Sequence, residues 1–397
     1  MKIVFLAPFG LRPKGTVIAR LVPLAAALQD AGHSVLIVAP PYTNPEDSGA
    51  TEIVRGVTIK NIALGPKNSA LAAPILAWRM FRTALSEKPD LVHLFKPKGF
   101  GGLAAMLHIC LQRAGWNLPP IFVDTDDWEG RGGMNDLHGY GAAEKMMFGF
   151  QERWLLPRAV GVTVASRTLQ SQVWGMGNPP ERTLYLPNCV EDAPAGNGAE
   201  IREKLGISPD APVLLLYTRF FEFSQEKLCF VFAEILRQVP AVRFLVVGRG
   251  RNSEEDRLLQ SGVELGFAPA LVMAGWVEPG ELPGYLAVAD VAIYPFADTL
   301  INRSKCPAKL TELLRAGVPV VADRVGQLAE YIKPELSGIL CDPDDWQEMS
   351  DRVTDLLLSH DRAHEIGKNG RIHLFEKFSW SFFADKLHNF YRELTIQ

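Results

Sequence analysis

The 397-residue sequence is poor in the features that mark secreted, metal-built or membrane-spanning proteins. Its five cysteines, Cys110, Cys189, Cys229, Cys306 and Cys341, are odd in number and widely scattered, with no pair at a spacing suited to zinc or a redox couple. They read as reduced thiols, and no metal site is expected. The longest weakly polar stretch, residues 69–78, is too short to span a bilayer. Met1-Lys2 leads directly into the strand-like Ile3-Val4-Phe5-Leu6-Ala7 with no cleavage-type segment, so a location in the cytosol, or on the cytosolic face of a membrane, is expected. Internal repeats and low-complexity segments are absent, and no nucleic-acid partner is expected.

What is present is a chain long enough, at 47% hydrophobic residues, to bury two sizeable cores. Strand-like runs at Ile3–Ala7, Ser34–Ala39, Leu91–Phe95, Pro120–Asp124 and Gly161–Ala165 alternate with helical stretches, which argues for a parallel sheet with crossover helices. The alternation restarts at Val213. Between the two blocks, Leu186 to Ala199 holds Pro187, Asn188, Pro194, Gly196, Asn197 and Gly198, a composition that reads as a linker. The expected division is therefore 1–190 and 200–378, two doubly wound α/β units. Charge is shared unevenly: residues 1–190 carry 19 Lys+Arg against 14 Asp+Glu (+5), leaving 22 against 31 (−9) for the remainder. That balance suits an anionic acceptor or a negatively charged membrane surface on the first half, and equally an ordinary variation of surface charge.

The richest local pattern is Ser304-Lys305-Cys306-Pro307-Ala308-Lys309-Leu310-Thr311-Glu312-Leu313-Leu314-Arg315-Ala316-Gly317. Pro307 suits a first helical turn, Leu310, Leu313 and Leu314 make an apolar stripe, and Gly317 followed by Pro319 gives the stop. The open amides of such a first turn suit a phosphate, and Lys305 and Lys309 add charge. Lys309 and Glu312, three apart, place a cation for phosphate beside a carboxylate able to accept from sugar hydroxyls. The same residues also suit a surface helix with an ordinary Lys–Glu pair. Cys306 reads as a small residue at the helix start, since no histidine lies nearby in sequence to act as its base.

Val242–Gly248, Leu271–Val277, Leu282–Asp290 and Val291–Pro295, in that order, resemble the nucleotide-binding half of GT-B glycosyltransferases of the retaining family 4 group. Gly10, Gly15-Thr16, Ala31–Val35 and the ending Phe378-Ser379-Trp380 extend the resemblance over nearly the whole chain. It implies two Rossmann-like domains facing a crevice, with a last helix, within 380–397, packing back on the first. It also implies a nucleoside diphosphate sugar as donor, a hydroxyl acceptor in a glycan, lipid or small molecule, and no cofactor. Arg219, at the end of Tyr217-Thr218-Arg219-Phe220, and Lys309 would stabilise the leaving diphosphate, and Glu312 would hold the ribose. Gly15, Thr16, Gly248, Ser304, Lys305, Cys306 and Leu310 would complete the donor side, with Trp276 and Val277 bordering the base.

Two departures stand out. The family's lysine-glycine pair after the arginine is missing, with Phe223-Ser224-Gln225-Glu226 in its place and Lys227 out of register. The paired-glutamate motif has Glu312 second but Ser304 first. A donor-binding protein without catalysis, or a GT-B nucleotide-sugar epimerase, therefore remains open.

In the first half, Asp124-Thr125-Asp126-Asp127-Trp128-Glu129-Gly130 contains Asp-x-Asp, a metal-binding pattern in GT-A enzymes. Following a strand of the N-terminal half, it reads instead as acceptor-side, with Asp126 orienting a hydroxyl beside Asp127, or as a cap on the next turn. Arg12 and Lys14 join Gly10, Gly15 and Thr16 in a loop suited to anion contact, with Lys14 on the acceptor side. Residues 71–85, rich in Trp, Phe and Arg, suit either a headgroup-contacting helix around Trp78, Arg79 and Arg82 or a packed crossover helix.

Overall fold

The computed structural model describes residues 1–12, 15–65 and 72–395, so Lys14 lies outside the described residues. The chain forms two compact units, one made of Met1–Cys189, Ser304–Cys306 and Trp380–Gln397, the other of Val190–Arg303 and Pro307–Ser379.

The first unit is built on β1 (Lys2–Leu6), β2 (Ser34–Ala39), β3 (Thr51–Val54), β4 (Val57–Asn61), β5 (Leu91–Phe95), β6 (Ile121–Thr125), β7 (Gly161–Val164) and β8 (Thr183–Tyr185). They join in the order β3-β4-β2-β1-β5-β6-β7-β8. Every ladder is parallel except the β3–β4 hairpin, whose turn residues Arg55 and Gly56 both have positive φ. That hairpin and the three-residue β8 escape the hydrophobic pattern because β3 and β4 alternate polar and apolar residues and β8 is short. The crossovers are α1 (Val22–Asp30), α2 (Ala72–Ser86), α3 (Gly99–Arg113), α4 (Ala142–Leu155) and α5 (Arg167–Gly175), and α15 (Trp380–Thr395) packs against α1. A parallel sheet covered on both faces demands near-continuous apolar strands, and β1 and β5 comply. Gly161 makes room for α15: a Cβ there would lie 2.7 Å from Leu394 Cδ1 and 2.8 Å from Phe390 Cζ.

The second unit carries β9 (Val213–Tyr217), β10 (Arg243–Val247), β11 (Leu271–Gly275), β12 (Val291–Tyr294), β13 (Val320–Asp323) and β14 (Ile339–Cys341), all parallel, in the order β11-β10-β9-β12-β13-β14. Its helices are α6 (Gly198–Lys204), α7 (Gln225–Gln238), α8 (Glu254–Leu265), α9 (Leu282–Leu286), α10 (Leu300–Ser304), α11 (Ala308–Arg315), α12 (Leu328–Tyr331), α13 (Trp346–Leu358) and α14 (His360–Lys377). Phe232 of α7 stacks on Phe244 of β10 at 4.2 Å, and Phe267 meets both edge-on. Strand order reverses between β9 and β12, and at such a switch point the loops leaving the carboxyl ends diverge and open a cleft. Among the described residues, no helix is long and apolar enough to cross a membrane.

Candidate functional site

In the second unit a small cleft opens at that switch point, lined by Leu216, Tyr217 and Thr218 from the end of β9, Ile293–Phe296 from the end of β12, Glu222, Phe223 and Lys309. Apolar β9 ends in Tyr217, whose ring forms one wall. The Lys309 ammonium lies 3.4 Å from that ring's centroid, a cation–π contact, and the Tyr217 hydroxyl hydrogen-bonds the Glu312 carboxylate. Burial draws Lys309 down to about 8, with Glu312 opposing, while burial raises Glu312, opposed by Lys309. The two residues are thus turned inwards onto Tyr217 rather than lying on an open helix surface. Leu310, Leu313 and Leu314 are buried, so only the backbone of Leu310 can serve a ligand.

Arg219 is exposed, pairs with Glu222 at 3.1 Å and stacks 4.7 Å from the Phe221 ring, which Arg251 also approaches at 4.9 Å. Gly248 holds a close backbone crossing: its φ is +123°, and a Cβ would lie 1.8 Å from the Thr218 carbonyl oxygen. Trp276 follows β11 with 68% of its surface exposed, and Val277 is half-buried. Lys227 is spent on the fold. Its ammonium is buried 2.6 Å from Asp323 Oδ1 and donates to the Pro343 carbonyl, while Asp323 Oδ2 accepts from the Phe296 amide.

The helix start differs from the pattern read in sequence. Pro307 is the N-cap of α11, and residues 300–304 form the separate turn α10. The last residue of α10, Ser304, together with Lys305 and Cys306, belongs to the first unit, whereas the rest of α10 and Lys309 belong to the second. Within the first unit the Ser304 carbonyl accepts from the Ser166 hydroxyl, and Cys306 Sγ accepts from the Asn188 amide at 3.0 Å. The Ser304 side chain is fully buried, and its hydroxyl has no hydrogen-bond partner among the described residues. Lys305 is buried close enough to Asp127 to favour its charged form.

The carboxyl ends of β5 and β6 gather several charged side chains of the first unit. Lys96, in a left-handed conformation just past β5, lies 2.7 Å from Asp126 Oδ1 and 2.6 Å from Asp127 Oδ2. Burial pushes Asp126 up despite Lys96; burial also opposes the charge of Asp127, but Lys96 outweighs it and holds Asp127 low. These carboxylates bind a lysine rather than capping a turn. Lys98 lies 2.7 Å from Glu129 Oε2, and the Glu129 amide donates to Glu152 Oε1. Burial lifts Glu152 to about 8. Behind them Arg20 bridges Asp124, Asn188 Oδ1 and the Leu186 carbonyl. His93 is buried, drawn down to about 4 by burial, and hydrogen-bonded to Tyr391.

Arg12 is tied to Asp47 and Glu52, both at 3.1 Å, so its charge is answered locally. Gly15 has open space where a Cβ would stand, and Thr16 precedes the turn leading to α1 without a side-chain cap. The apolar side of α2 packs inward, Arg79 donates to the Ala63 carbonyl, and Trp78 and Arg82 are exposed.

Residues 15–189 match the family model of a glycosyl transferase 4-like domain, and residues 197–373 match that of glycosyl transferases group 1. The chain belongs to the group 1 glycosyltransferases. It is 28% identical over 238 residues to the GDP-mannose-dependent alpha-(1-6)-phosphatidylinositol monomannoside mannosyltransferase of Mycobacterium tuberculosis, a match covering 58% of this chain and 61% of that protein. It is 29% identical over 208 residues to the D-inositol 3-phosphate glycosyltransferase of Segniliparus rotundus, covering 50% and 43%. The matched regions thus span about two fifths to three fifths of these relatives' length.

In fold, the group 1 chain matches sucrose-phosphate synthase from Thermosynechococcus elongatus with a TM-score of 0.75 at 20% identity, covering 99% of both chains. It matches the Anabaena protein HepE, solved in complex with UDP, with a TM-score of 0.72 at 18% identity, covering 98% of this chain and 99% of that one. The fold is GT-B.

Sequence reading of this group 1 chain passed over Lys96, Lys98, Glu129, Glu152 and Arg20. A signal was available for two of them: Lys96 and Lys98 closely follow the fully buried β5, where a doubly wound unit places ligand-facing groups.

Proposed function

We propose that the chain transfers a hexosyl unit from a nucleoside diphosphate sugar to a hydroxyl acceptor with retention of configuration. The observation that carries this reading is the convergence of Lys309 and Glu312 on Tyr217, beside Arg219, at the switch point of the second unit. Glu312 accepts from the ribose hydroxyls. Arg219 and Lys309 neutralise the diphosphate as the sugar C1–oxygen bond breaks, with the α11 amides adding donors. The acceptor oxygen forms the new bond to C1 on the face the diphosphate leaves, and its proton passes to a phosphate oxygen of the donor. No protein nucleophile and no metal enters this scheme. On the acceptor side, Asp126 and Asp127, held by Lys96, orient the hydroxyl. The dependence of the M. tuberculosis relative on GDP-mannose, and the UDP complex of HepE, support a nucleotide-sugar donor. We place the reaction in the cytosol or at a cytosolic membrane face.

A donor-binding protein without transfer is the second reading, favoured by Ser304, whose buried hydroxyl stands where the resembling family has a glutamate. A thermal-shift screen against UDP, GDP, ADP and their hexose conjugates tests donor binding, because a ligand of the folded state raises the melting temperature. The transferase reading predicts a selective shift with one nucleotide, diminished in Lys309→Ala and Glu312→Ala, and release of that nucleoside diphosphate when acceptors are added. Binding with no turnover on any acceptor supports the second reading. No shift with any nucleotide overturns both.

A further inference from the structure

Helix α4 is built inside out. On its inner side Gln151 and Glu152 are 0% and 1% exposed, while Met146, Met147 and Phe150 are exposed by 73%, 45% and 47%. The inward polar groups have work to do: Gln151 accepts from the Gly99 amide at 2.9 Å and donates to the Gly99 carbonyl at 3.0 Å, and Glu152 accepts from the Glu129 amide at 3.1 Å. At 100° per residue, the opposite face collects Ala142, Ala143, Met146, Met147, Phe150, Arg153 and Trp154. Folding alone does not call for that arrangement, since an amphipathic crossover helix turns such a stripe to the core. Leu137, 40% exposed, lies in the segment leading into the helix.

Charge narrows what can cover this face. It contains no acid, and its one formal charge is the exposed Arg153, a turn beyond Phe150. The acids flanking it are engaged: Asp136 faces Lys145 at 3.7 Å, and Glu144 accepts from the Gly141 amide. Trp154 sits beside Arg153 and stacks under the Arg158 guanidinium at 4.7 Å. Apolar side chains followed by arginine and tryptophan match the passage from acyl chains to anionic headgroups. The surplus of five positive charges over residues 1–190 has the same sign. A second copy meets this face poorly, because an isologous contact would bring two arginine-bearing faces together with no acid to answer them.

We propose that the outer face of α4 seats the protein on an anionic lipid surface, with Met146, Met147 and Phe150 entering the acyl boundary and Arg153 meeting the headgroups. This holds whatever the transferred sugar is. The test is co-sedimentation of the full chain with vesicles of phosphatidylglycerol and phosphatidylcholine, against phosphatidylcholine alone, for wild type, Met146→Gln/Phe150→Gln, Arg153→Gln and, as control, Trp78→Gln. Because the substituted side chains are exposed, the double variant keeps the wild-type melting temperature. Wild type and Trp78→Gln bind the anionic vesicles and spare the neutral ones; the double variant binds roughly tenfold more weakly, and Arg153→Gln loses part of the anionic preference. Binding to neither vesicle, or binding indifferent to the double variant, overturns the proposal. So does a wild-type dimer in light scattering that the double variant abolishes, which would assign the face to a second copy.

Discussion

The ammonium of Lys309 rests 3.4 Å from the centroid of the Tyr217 ring, and the hydroxyl of the same tyrosine bonds to Glu312. One aromatic side chain thereby sets the positions of both the cation and the carboxylate assigned to the donor. Burial draws Lys309 down to about 8, so in the free protein it loses its proton as pH rises through 8. Affinity for a nucleoside diphosphate should therefore fall above pH 8, by up to about tenfold per pH unit until other groups titrate. The unfolded chain keeps this proton to higher pH, so between about 8 and the ordinary lysine value this site makes the fold more stable as pH rises. Lys309→Arg stays charged throughout and should flatten the binding profile. Calorimetric titration from pH 7 to 10 measures it, and a flat wild-type profile would exclude Lys309 as a diphosphate ligand.

Arg20 and Asp124 form a buried pair at 2.8 Å, each 2% exposed, with Arg20 also donating to the Leu186 carbonyl. Arg20→Ala leaves the Asp124 carboxylate buried without its counter-ion and should lower the stability of the first unit by roughly 3–5 kcal/mol. Arg20→Met/Asp124→Leu removes both charges and should cost less than the single change. Chemical denaturation of the three proteins orders them; a single variant as stable as wild type would show the pair to be dispensable.

At Gly248 the positive φ and the Thr218 carbonyl, 1.8 Å from where a Cβ would stand, both exclude a side chain. Gly248→Ala should destabilise the second unit by at least about 2 kcal/mol. Because the carbonyl it displaces lies between Tyr217 and Arg219, nucleotide binding should weaken as well. Melting temperature together with nucleotide titration separates the two effects.

Burial lifts Glu152 to about 8, well above a carboxylate's ordinary value, so it is mostly protonated at pH 7. The folded protein then holds a proton that the unfolded chain has given up, and this site's contribution to stability, complete below about pH 4.5, is lost as pH rises to 8. Glu152→Gln keeps the acceptor for the Glu129 amide without that loss. It should be more stable than wild type by roughly 1–3 kcal/mol at pH 8, with the difference closing towards pH 4.5. Thermal melts across that range read the trend, and a pH-independent difference would mean that Glu152 is charged in the fold.

The parallel ladders of the two sheets were legible in sequence because strands buried on both faces must be largely apolar, and β1, β5, β9 and β12 are such runs. The hairpin β3–β4 was not, since one strand pair at a sheet edge carries no such requirement. Around the switch point of the second unit, Arg219 stood out as a charge placed just after a strand, and Lys309 and Glu312 as a pair in the helix after Pro307. The isolated sequence could not show that Lys309 and Glu312 turn inwards onto a tyrosine almost a hundred residues earlier. It likewise gave no role to Lys96, Lys98, Glu129 and Glu152, because each is an ordinary polar residue until the fold buries it beside the others.

Sequence by itself determined the fold class, the helix and strand periods and the group 1 membership, all of which rest on patterns local enough to read along one chain. Tertiary structure alone decided which charges are spent and which are offered. It tied Lys227 to Asp323 and Arg12 to Asp47 and Glu52, and it turned the apolar face of α4 outward. The reason is physical: a charge or an apolar side chain acquires its role from desolvation and from partners distant in sequence, and both exist only once the chain has folded.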